Sequence, residues 1–284
     1  MPSLCEDTGG GNSALGTKRA MGRTVNDFVI NVATANGTGS QSSNLILMHS
    51  MFEMGVPVSG KNLFPSNISG LPTWFIIRAN DEGYQAPGDG VDIQVLMNKD
   101  TWIADLEKLE AGTVVVYNED VKLPLERDDC FLLGMPMTKM ARGISPRLAR
   151  LMANMYYVGA LAHLLGIEDN MIQKAVEGQF KGKEKAIEMN LRAISESRAY
   201  AEENWDFQCP HCVEERDKNP DTFLVEGNDA VALGAIYGGI NLLSWYPITP
   251  SSSLAESIIG WLPELRGDGN GGLTCAVIQA EDEL

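Results

Sequence analysis

An α/β fold in two successive units is what this sequence predicts, on three observations. Residues 28–34 form a short apolar run that ends in a glycine turn and leads straight into an apolar helical stretch, the opening of a strand–turn–helix unit. Further strand-like runs continue to residue 136, and consecutive helices close the segment near residue 205. Beyond a charged, proline-containing stretch, the strand-and-helix pattern starts again at residue 223. With 284 residues, 44% of them hydrophobic and 7% aromatic, the chain has the length for one large or two medium domains and the apolar content for a sizeable core.

Residues 1–25 are glycine-rich and polar and lack the apolar centre of a secretion signal, so they read as a flexible tail. The first unit covers 26–205. Its opening strand is followed by the glycine turn, a helix over 41–54 and the start of a strand at 56–58. Runs at 73–78, 91–97, 113–117 and 130–136 suit further strands, with a helix over 101–109 between two of them. Helices are expected at 146–165, 168–180 and 183–205; in the last, Ala186, Met189, Ala193 and Ile194 share one face and charges cover the other. Residues 206–222, with Pro210, Pro220 and a run of charges, read as a linker. In the second unit, 223–284, Asn228 or Asp229 can cap a helix over 230–240. A strand at 242–248, a serine-capped helix at 251–262, a turn at 266–272 and a strand at 273–280 follow. Two strands and two helices are too little to close a doubly wound sheet, so this unit reads as incomplete, cut short at Leu284.

Charge and cysteine usage narrow the function classes. The 22 basic residues against 38 acidic ones leave −16, a surface that repels nucleic acid and anionic membrane. A phosphate-bearing ligand must therefore be held locally, by backbone amides, a few cations or a metal. Five scattered cysteines argue against a secreted disulfide framework and for a reducing, cytoplasmic setting. The most apolar helical stretch, 148–165, contains Arg150, Asn154 and His163, so it reads as a core helix and not as a membrane span.

Three motifs are candidates for chemistry. In Asn36-Gly37-Thr38-Gly39-Ser40-Gln41-Ser42, glycines let backbone amides approach a phosphate while the helix N-terminus adds partial positive charge. A bare structural turn is the alternative. As a nicotinamide fingerprint the string is poor: Ser42 replaces the third glycine, and Ser59, Gly60 and Lys61 stand where an acidic residue is needed. Lys61 can supply a cation, or simply be a solvated lysine. Cys209-Pro210-His211-Cys212 has the residue types of a metal or redox site, but no second ligand pair follows, and incidental thiols explain it as well. His49 and His163 lie in apolar helical patterns and read as packed residues. In Tyr246-Pro247-Ile248-Thr249-Pro250-Ser251-Ser252, two prolines bracket Ile248 and Thr249 and stop the strand, which holds a hydroxyl where open α/β sheets bind ligands. A tight strand-to-helix turn is again the alternative.

The third motif carries a family resemblance. Gly227-Asn228-Asp229-Ala230-Val231-Ala232-Leu233-Gly234-Ala235, then Tyr246 to Ser252, then Gln279-Ala280-Glu281-Asp282-Glu283 resemble the start of the α subunit of 2-oxoacid:ferredoxin oxidoreductases. Residues 26–204 resemble the γ domain that some members fuse ahead of it. Ser66-Asn67-Ile68-Ser69-Gly70-Leu71-Pro72-Thr73-Trp74-Phe75 is most similar to the 2-oxoglutarate type. The resemblance implies a γ-type α/β domain followed by an incomplete thiamine-diphosphate-binding, pyrimidine-type α/β domain. It also implies oxidative decarboxylation of a 2-oxoacid to acyl-CoA and CO2, with electrons passed to ferredoxin.

The implied cofactors are thiamine diphosphate with Mg2+, shared with a β subunit in an αβ hetero-oligomer, coenzyme A as cosubstrate, and a 4Fe–4S cluster on the partner. Gly37, Gly39, Ser40 and Lys61 are the residues carried over for CoA. Tyr246, Pro247, Ile248, Thr249 and Pro250 are those for the substrate, and Thr249 and Glu281 those for catalysis. The aminopyrimidine of thiamine needs a carboxyl partner on its ring nitrogen, and a glutamate at the end of a buried strand is a suitable donor. Glu281 stands there, and the expectation is that it meets Thr249 around one cofactor. A noncatalytic CoA-binding or assembly module and an NAD-linked oxidoreductase are the rival readings.

Overall fold

A computed structural model of the chain describes residues 23–64, 71–88 and 90–284. Of the expected tail, residues 1–22 lie outside the described residues, as do Cys5 and the Ser66-Asn67-Ile68-Ser69-Gly70 part of the family string.

The chain enters through a two-residue strand, β1 (Thr24–Val25), and continues into β2 (Asp27–Ala35). Alternation sends Phe28, Ile30 and Val32 into the larger core and Ala33 into a smaller one on the opposite face, so β2 is an inner strand. After α1 (Ser40–Glu53) come β3 (Val58–Leu63) and β4 (Pro72–Asn80), then β5 (Ile93–Leu96), α2 (Trp102–Glu107), β6 (Val114–Asn118) and β7 (Phe131–Met135). These six longer strands form one mixed sheet in the order β3-β4-β2-β5-β6-β7. The β2, β5, β6 and β7 strands run parallel, whereas β4 lies antiparallel between β2 and β3, with Phe75 opposite Val32.

Helices α3 (Met137–Ile144), α4 (Ala149–Leu165), α5 (Asp169–Gln179) and α6 (Glu184–Asn204) follow. With α1 they cover one face of the sheet, where Met51, Tyr156 and Tyr157 are fully buried. On the other face α2 sets Leu106, with Leu109 just after it, against Ala33, Leu96 and Val115. The helix expected over 146–165 begins later, at Ala149, and α3 precedes it. Ser145, which stands before Pro146, is extended, because a residue before proline is driven out of the α region. The strand expected from 56 starts at Val58 and runs to Leu63, and Gly60 lies under Met48 and Phe75.

The 206–222 segment is pinned along its length. Its strand β8 (His211–Cys212) pairs in parallel with β1, and the Val213 amide donates to the Leu165 carbonyl at 2.8 Å. Farther on, the Arg216 amide donates to Met54 and Asn219 Nδ2 donates to Phe52 and Val56. Gly55, at φ +74°, makes this approach possible: a Cβ there would lie 1.7 Å from the Arg216 carbonyl oxygen. Asn26 locks the N-terminal side, since its Nδ2 donates to the Glu214 carbonyl and its Oδ1 accepts from the Glu214 amide, both at 2.9 Å. This fully buried residue also holds φ +52°, where asparagine is tolerated and alanine is not. Asn26→Ala is expected to lower stability by ~2–4 kcal/mol, from left-handed strain plus two lost buried hydrogen bonds. Urea unfolding would measure it, and a loss below ~1 kcal/mol would show that the segment is held elsewhere.

In the second unit, α7 (Gly227–Tyr237), β9 (Leu242–Trp245), α8 (Ser251–Leu265) and β10 (Ala276–Gln279) surround a small core of Ala232, Ile236, Ile258, Leu262 and Cys275. The expected capping is corrected: α7 starts at Gly227, already past the point where Asn228 or Asp229 could cap it. Instead Asn228 Nδ2 donates to the Pro250 carbonyl and Ser253 Oγ, while Asp229 accepts from Ser257, so both tie α7 to α8. Both strands are shorter than expected. They pair in parallel, Gln279 opposite Trp245, with Leu242 and Ile278 exposed.

Candidate functional site

The glycine turn connects β2 to α1 in the middle of the large sheet. Gly37 at φ +81° and Gly39 at φ +79° both adopt the left-handed backbone that glycine permits. Among the described residues, no side chain caps α1, and its first turn holds no acidic residue. The amides of that turn therefore open into a cleft of about 500 Å3. The turn itself is held by hydrogen bonds. Thr38 Oγ1 donates to Ala35, and Asn154 Nδ2 reaches across from α4 to the Thr38 carbonyl at 2.7 Å. Below it Thr34 Oγ1 donates to Ser40 Oγ, and the buried Tyr157 hydroxyl donates to Asn44 Oδ1 at 2.7 Å. Burial drives the Tyr157 phenol far above its ordinary value, so it stays a neutral donor.

Among the described residues, none that lines this cleft is charged, in a chain of net charge −16. Its walls are hydroxyls, amides and two rings: Asn62 and Phe64 from β3 and beyond, Thr73 and Phe75 from β4, and Thr249 from the second unit. Thr249 sits after β9, and its peptide to Pro250 is cis. The helix behind it is anchored by Ser251 and Ser252, whose hydroxyls donate to the Ile248 carbonyl. The turn sequence thus holds Thr249 opposite the amides of α1.

A larger cleft of about 990 Å3 continues from the same wall and shares Gln41, Asn62, Phe64, Phe75 and Thr249. It differs in charge, for Glu226, Asp229 and Glu256 line it, together with His49. Burial pushes the His49 imidazole below its ordinary range, against the pull of Glu53 and Glu226. His49 is therefore a half-buried neutral side chain on the cleft wall, whereas His163 packs in α4 and is likewise lowered, mainly by burial.

The expected site residues are distributed unevenly. Gly37, Gly39, Ser40 and Thr249 line one cleft. Lys61 is exposed on β3 and does not line it; its neighbour Asn62 does, because alternation turns the two side chains to opposite faces. Glu281 is exposed just beyond β10, and the Ala280 amide donates to the Trp245 carbonyl at 2.7 Å. Parallel pairing thus brings Thr249 and Glu281 out at the same end of the small sheet. Asn44 and Asn62 were missed by sequence reasoning; their signal was an amide inside an otherwise apolar helix and at the end of an edge strand.

Cys209 and Cys212 are buried at the β1–β8 junction. Burial pushes the Cys209 thiol up to about 11, and the His211 imidazole, which packs against Phe28 with ring centres 5.9 Å apart, is pushed down by the same cause. Among the described residues, no group of three or more histidine, cysteine or carboxylate side chains is arranged to hold a metal. The NAD reading meets a topological obstacle. Antiparallel β4 occupies the place beside β2 where the dinucleotide fold sets a parallel strand bearing the ribose-binding carboxylate. No helix among the described residues is long and apolar enough to cross a membrane.

Comparison with known proteins extends this picture. The α subunit of 2-oxoacid:ferredoxin oxidoreductase 2 of Aeropyrum pernix is 26% identical over 310 aligned positions, covering 91% of this chain and 48% of the relative. A 2-oxoglutarate oxidoreductase subunit of Mycobacterium tuberculosis is 26% identical over 74% of this chain and 35% of its own length. The chain thus spans about half or less of the length of these curated relatives. Among solved structures, the 2-oxoglutarate:ferredoxin oxidoreductase of Magnetococcus marinus, with 2-oxoglutarate, coenzyme A and succinyl-CoA bound, matches 91% of this chain and 44% of its own with a TM-score of 0.77 and 28% identity. A keto/oxoacid ferredoxin oxidoreductase γ subunit of Geobacter sulfurreducens shares the fold at 16% identity, covering 62% of this chain and 99% of its own with a TM-score of 0.52. Residues 29–200, more than half of the chain, match the pyruvate ferredoxin/flavodoxin oxidoreductase family, and to that family this chain belongs.

Proposed function

We propose that the chain joins a CoA-associated γ-type domain, 26–205, through 206–222 to the first part of a pyrimidine-binding domain, 223–284, in a 2-oxoglutarate-type 2-oxoacid:ferredoxin oxidoreductase. The observation that carries this reading is one cleft with two walls, the uncapped amides of α1 and the turn bearing Thr249. An enzyme that makes acyl-CoA must bring an acyl acceptor to the centre where the acyl group forms. The relative solved with 2-oxoglutarate, coenzyme A and succinyl-CoA supports that pairing of ligands.

The residues fit these roles chemically. Gly37, Gly39 and Ser40 form an anion cradle of backbone amides, with no carboxylate among the described residues that line the cleft. Lys61, on the outer face of an edge strand, contributes only long-range attraction. Thiamine diphosphate, when bound, supplies the carbanion-stabilising chemistry. Thr249 holds the substrate's oxo or carboxylate oxygen, Tyr246, Pro247, Ile248 and Pro250 shape that side, and Glu281 hydrogen-bonds the aminopyrimidine. The diphosphate, its Mg2+ and a 4Fe–4S cluster are assigned to a β subunit in an αβ hetero-oligomer that reduces ferredoxin.

The test is reconstitution of the complete enzyme with its β chain. Ferredoxin reduction by 2-oxoglutarate should require CoA and yield succinyl-CoA. A chain that binds CoA but never pairs with a β chain would leave the noncatalytic CoA-binding module standing instead.

A further inference from the structure

The turn that carries Thr249 is knit from within on one side and held by another helix on the other. The Ile248 amide donates to Ser252 Oγ at 3.1 Å, and the Ile248 carbonyl accepts from the Ser252 amide and from the hydroxyls of Ser251 and Ser252. These bonds fix the residue before Thr249. The residue after it is fixed by Asn228, the second residue of α7, which donates Nδ2 to the Pro250 carbonyl at 2.8 Å and to Ser253 Oγ at 2.7 Å. A carbonyl oxygen only accepts, so the amide nitrogen faces it, and the two bonds use both of its hydrogens.

Asn228 is in turn tied to the first unit. Upstream of it, Asn219 Nδ2 donates to the carbonyls of Phe52 in α1 and Val56 beyond it, and Leu224 packs against the large core. A short run of chain thus leads from the end of α1 to Asn228, and from there a hydrogen bond reaches the Thr249 turn. Asn228, Thr249 and Pro250 line the same larger cleft. The neighbouring tie between the helices is of another kind. Asp229 accepts from Ser257, whose hydroxyl also donates to the Ser253 carbonyl. That tie joins α7 to α8 and leaves the backbone of residues 248–250 alone.

We propose that Asn228 is a positioning residue for the step with the 2-oxoacid: by holding the Pro250 carbonyl it sets the Thr249 hydroxyl over the cleft, and it makes that placement depend on how 219–228 docks against the first unit. Thr249 is exposed, so its hydroxyl is placed by the backbone beneath it and not by packing. Moving a reacting or stabilising group by about 1 Å can cost about 10²-fold in rate, so a backbone hydrogen bond next to such a group matters beyond its worth to folding. The proposal goes beyond the reading of Thr249 given above and rests on it.

The complete enzyme with its β chain provides the test, through single-turnover kinetics with 2-oxoglutarate and NMR of thiamine C2 exchange. Asn228→Ala should slow the step with the 2-oxoacid by about tenfold, short of the full loss for a misplaced group, and leave C2 exchange unchanged. Asn228→Asp keeps the size, sets a carboxylate against the Pro250 carbonyl and should slow that step at least as much; it also serves if the alanine variant fails to assemble. Ser257→Ala, which cuts the other tie between the helices, should leave the step at its ordinary rate. In a double-mutant cycle, Asn228→Ala should cost nothing further once Thr249 is replaced by alanine. Additive losses in that cycle, a full rate in Asn228→Asp, or equal slowing by Ser257→Ala would each overturn the positioning role and leave Thr249 in place. Slower C2 exchange in the Asn228 variants would overturn it too, by putting Asn228 on the cofactor. An unchanged 2-oxoacid step in Thr249→Ala alone would overturn the reading of Thr249, and the proposal with it.

Discussion

Gly39→Val should cost the chain its affinity for CoA and for 4′-phosphopantetheine alike, by tenfold to a hundredfold. Two independent effects act at this position. A β-branched residue at φ +79° is a backbone outlier, and the left-handed conformation costs an L-residue ~1–2 kcal/mol. The turn therefore relaxes and re-aims the amides of Ser40 and its neighbours. The side chain also crowds the cleft in front of those amides, since its Cβ alone would stand 3.1 Å from Leu151 Cδ2. Losing one hydrogen bond to a charged phosphate, at ~1.5–3 kcal/mol, gives the stated range at 1.4 kcal/mol per tenfold. Gly39→Ala should show the same loss in smaller measure, since a single methyl can displace Leu151 by a few tenths of an ångström. Titration with the two ligands, beside a urea unfolding curve, separates binding from stability. Full CoA affinity in a folded Gly39→Val chain would move the site away from α1.

Why the sequence disclosed the fold unit and not the cleft follows from what each depends on. β2, α1 and α4 were legible because each is a largely apolar run whose length suits a buried strand or a buried helix and whose ends carry turn signals. The Thr249 turn was legible because two prolines and a run of serines leave the backbone few choices. The insertion of β4 between β2 and β3 was not, because a hairpin and a crossover present the same local pattern and differ only in pairing. The role of 206–222 was hidden for a related reason. Its prolines and charges read as a linker, yet its backbone is held by Asn26 and by the open carbonyls around Gly55, partners far away in sequence. Asn228 and Asp229 have the composition of a cap, but their side chains found Ser253 and Ser257 on α8, a tertiary competitor that no local rule anticipates. The meeting of Thr249 with Gly39 in one cleft is of the same kind, a consequence of docking between units.

In the complete enzyme, Glu281→Gln should slow exchange of the thiamine C2 proton by a large factor and leave folding intact, whereas Thr249→Ala should spare that exchange and slow the step with the 2-oxoacid by ~10²-fold. The distinction follows from where each residue stands. β9 and β10 run parallel, with Gln279 opposite Trp245, so Thr249 and Glu281 both follow the sheet at one end, the carboxyl end at which open α/β sheets bind ligands. Only Thr249, however, lines the cleft shared with the α1 amides. On the proposed reading, the Thr249 hydroxyl would act on the reacting acid and on nothing earlier, whereas the Glu281 carboxyl group would act on activation of the cofactor before any substrate arrives. Replacing glutamate by glutamine keeps size and removes the carboxyl group, so on the proposed reading its effect would belong to proton transfer and not to packing. Both positions are exposed in this chain, and neither substitution disturbs the small core around Ile236 and Leu262. C2 exchange followed by NMR and single-turnover kinetics with 2-oxoglutarate read the two steps separately. Near-normal exchange in the Glu281 variant would remove that residue from the mechanism. Equal slowing of exchange by both substitutions would place Thr249 on the cofactor instead of the substrate.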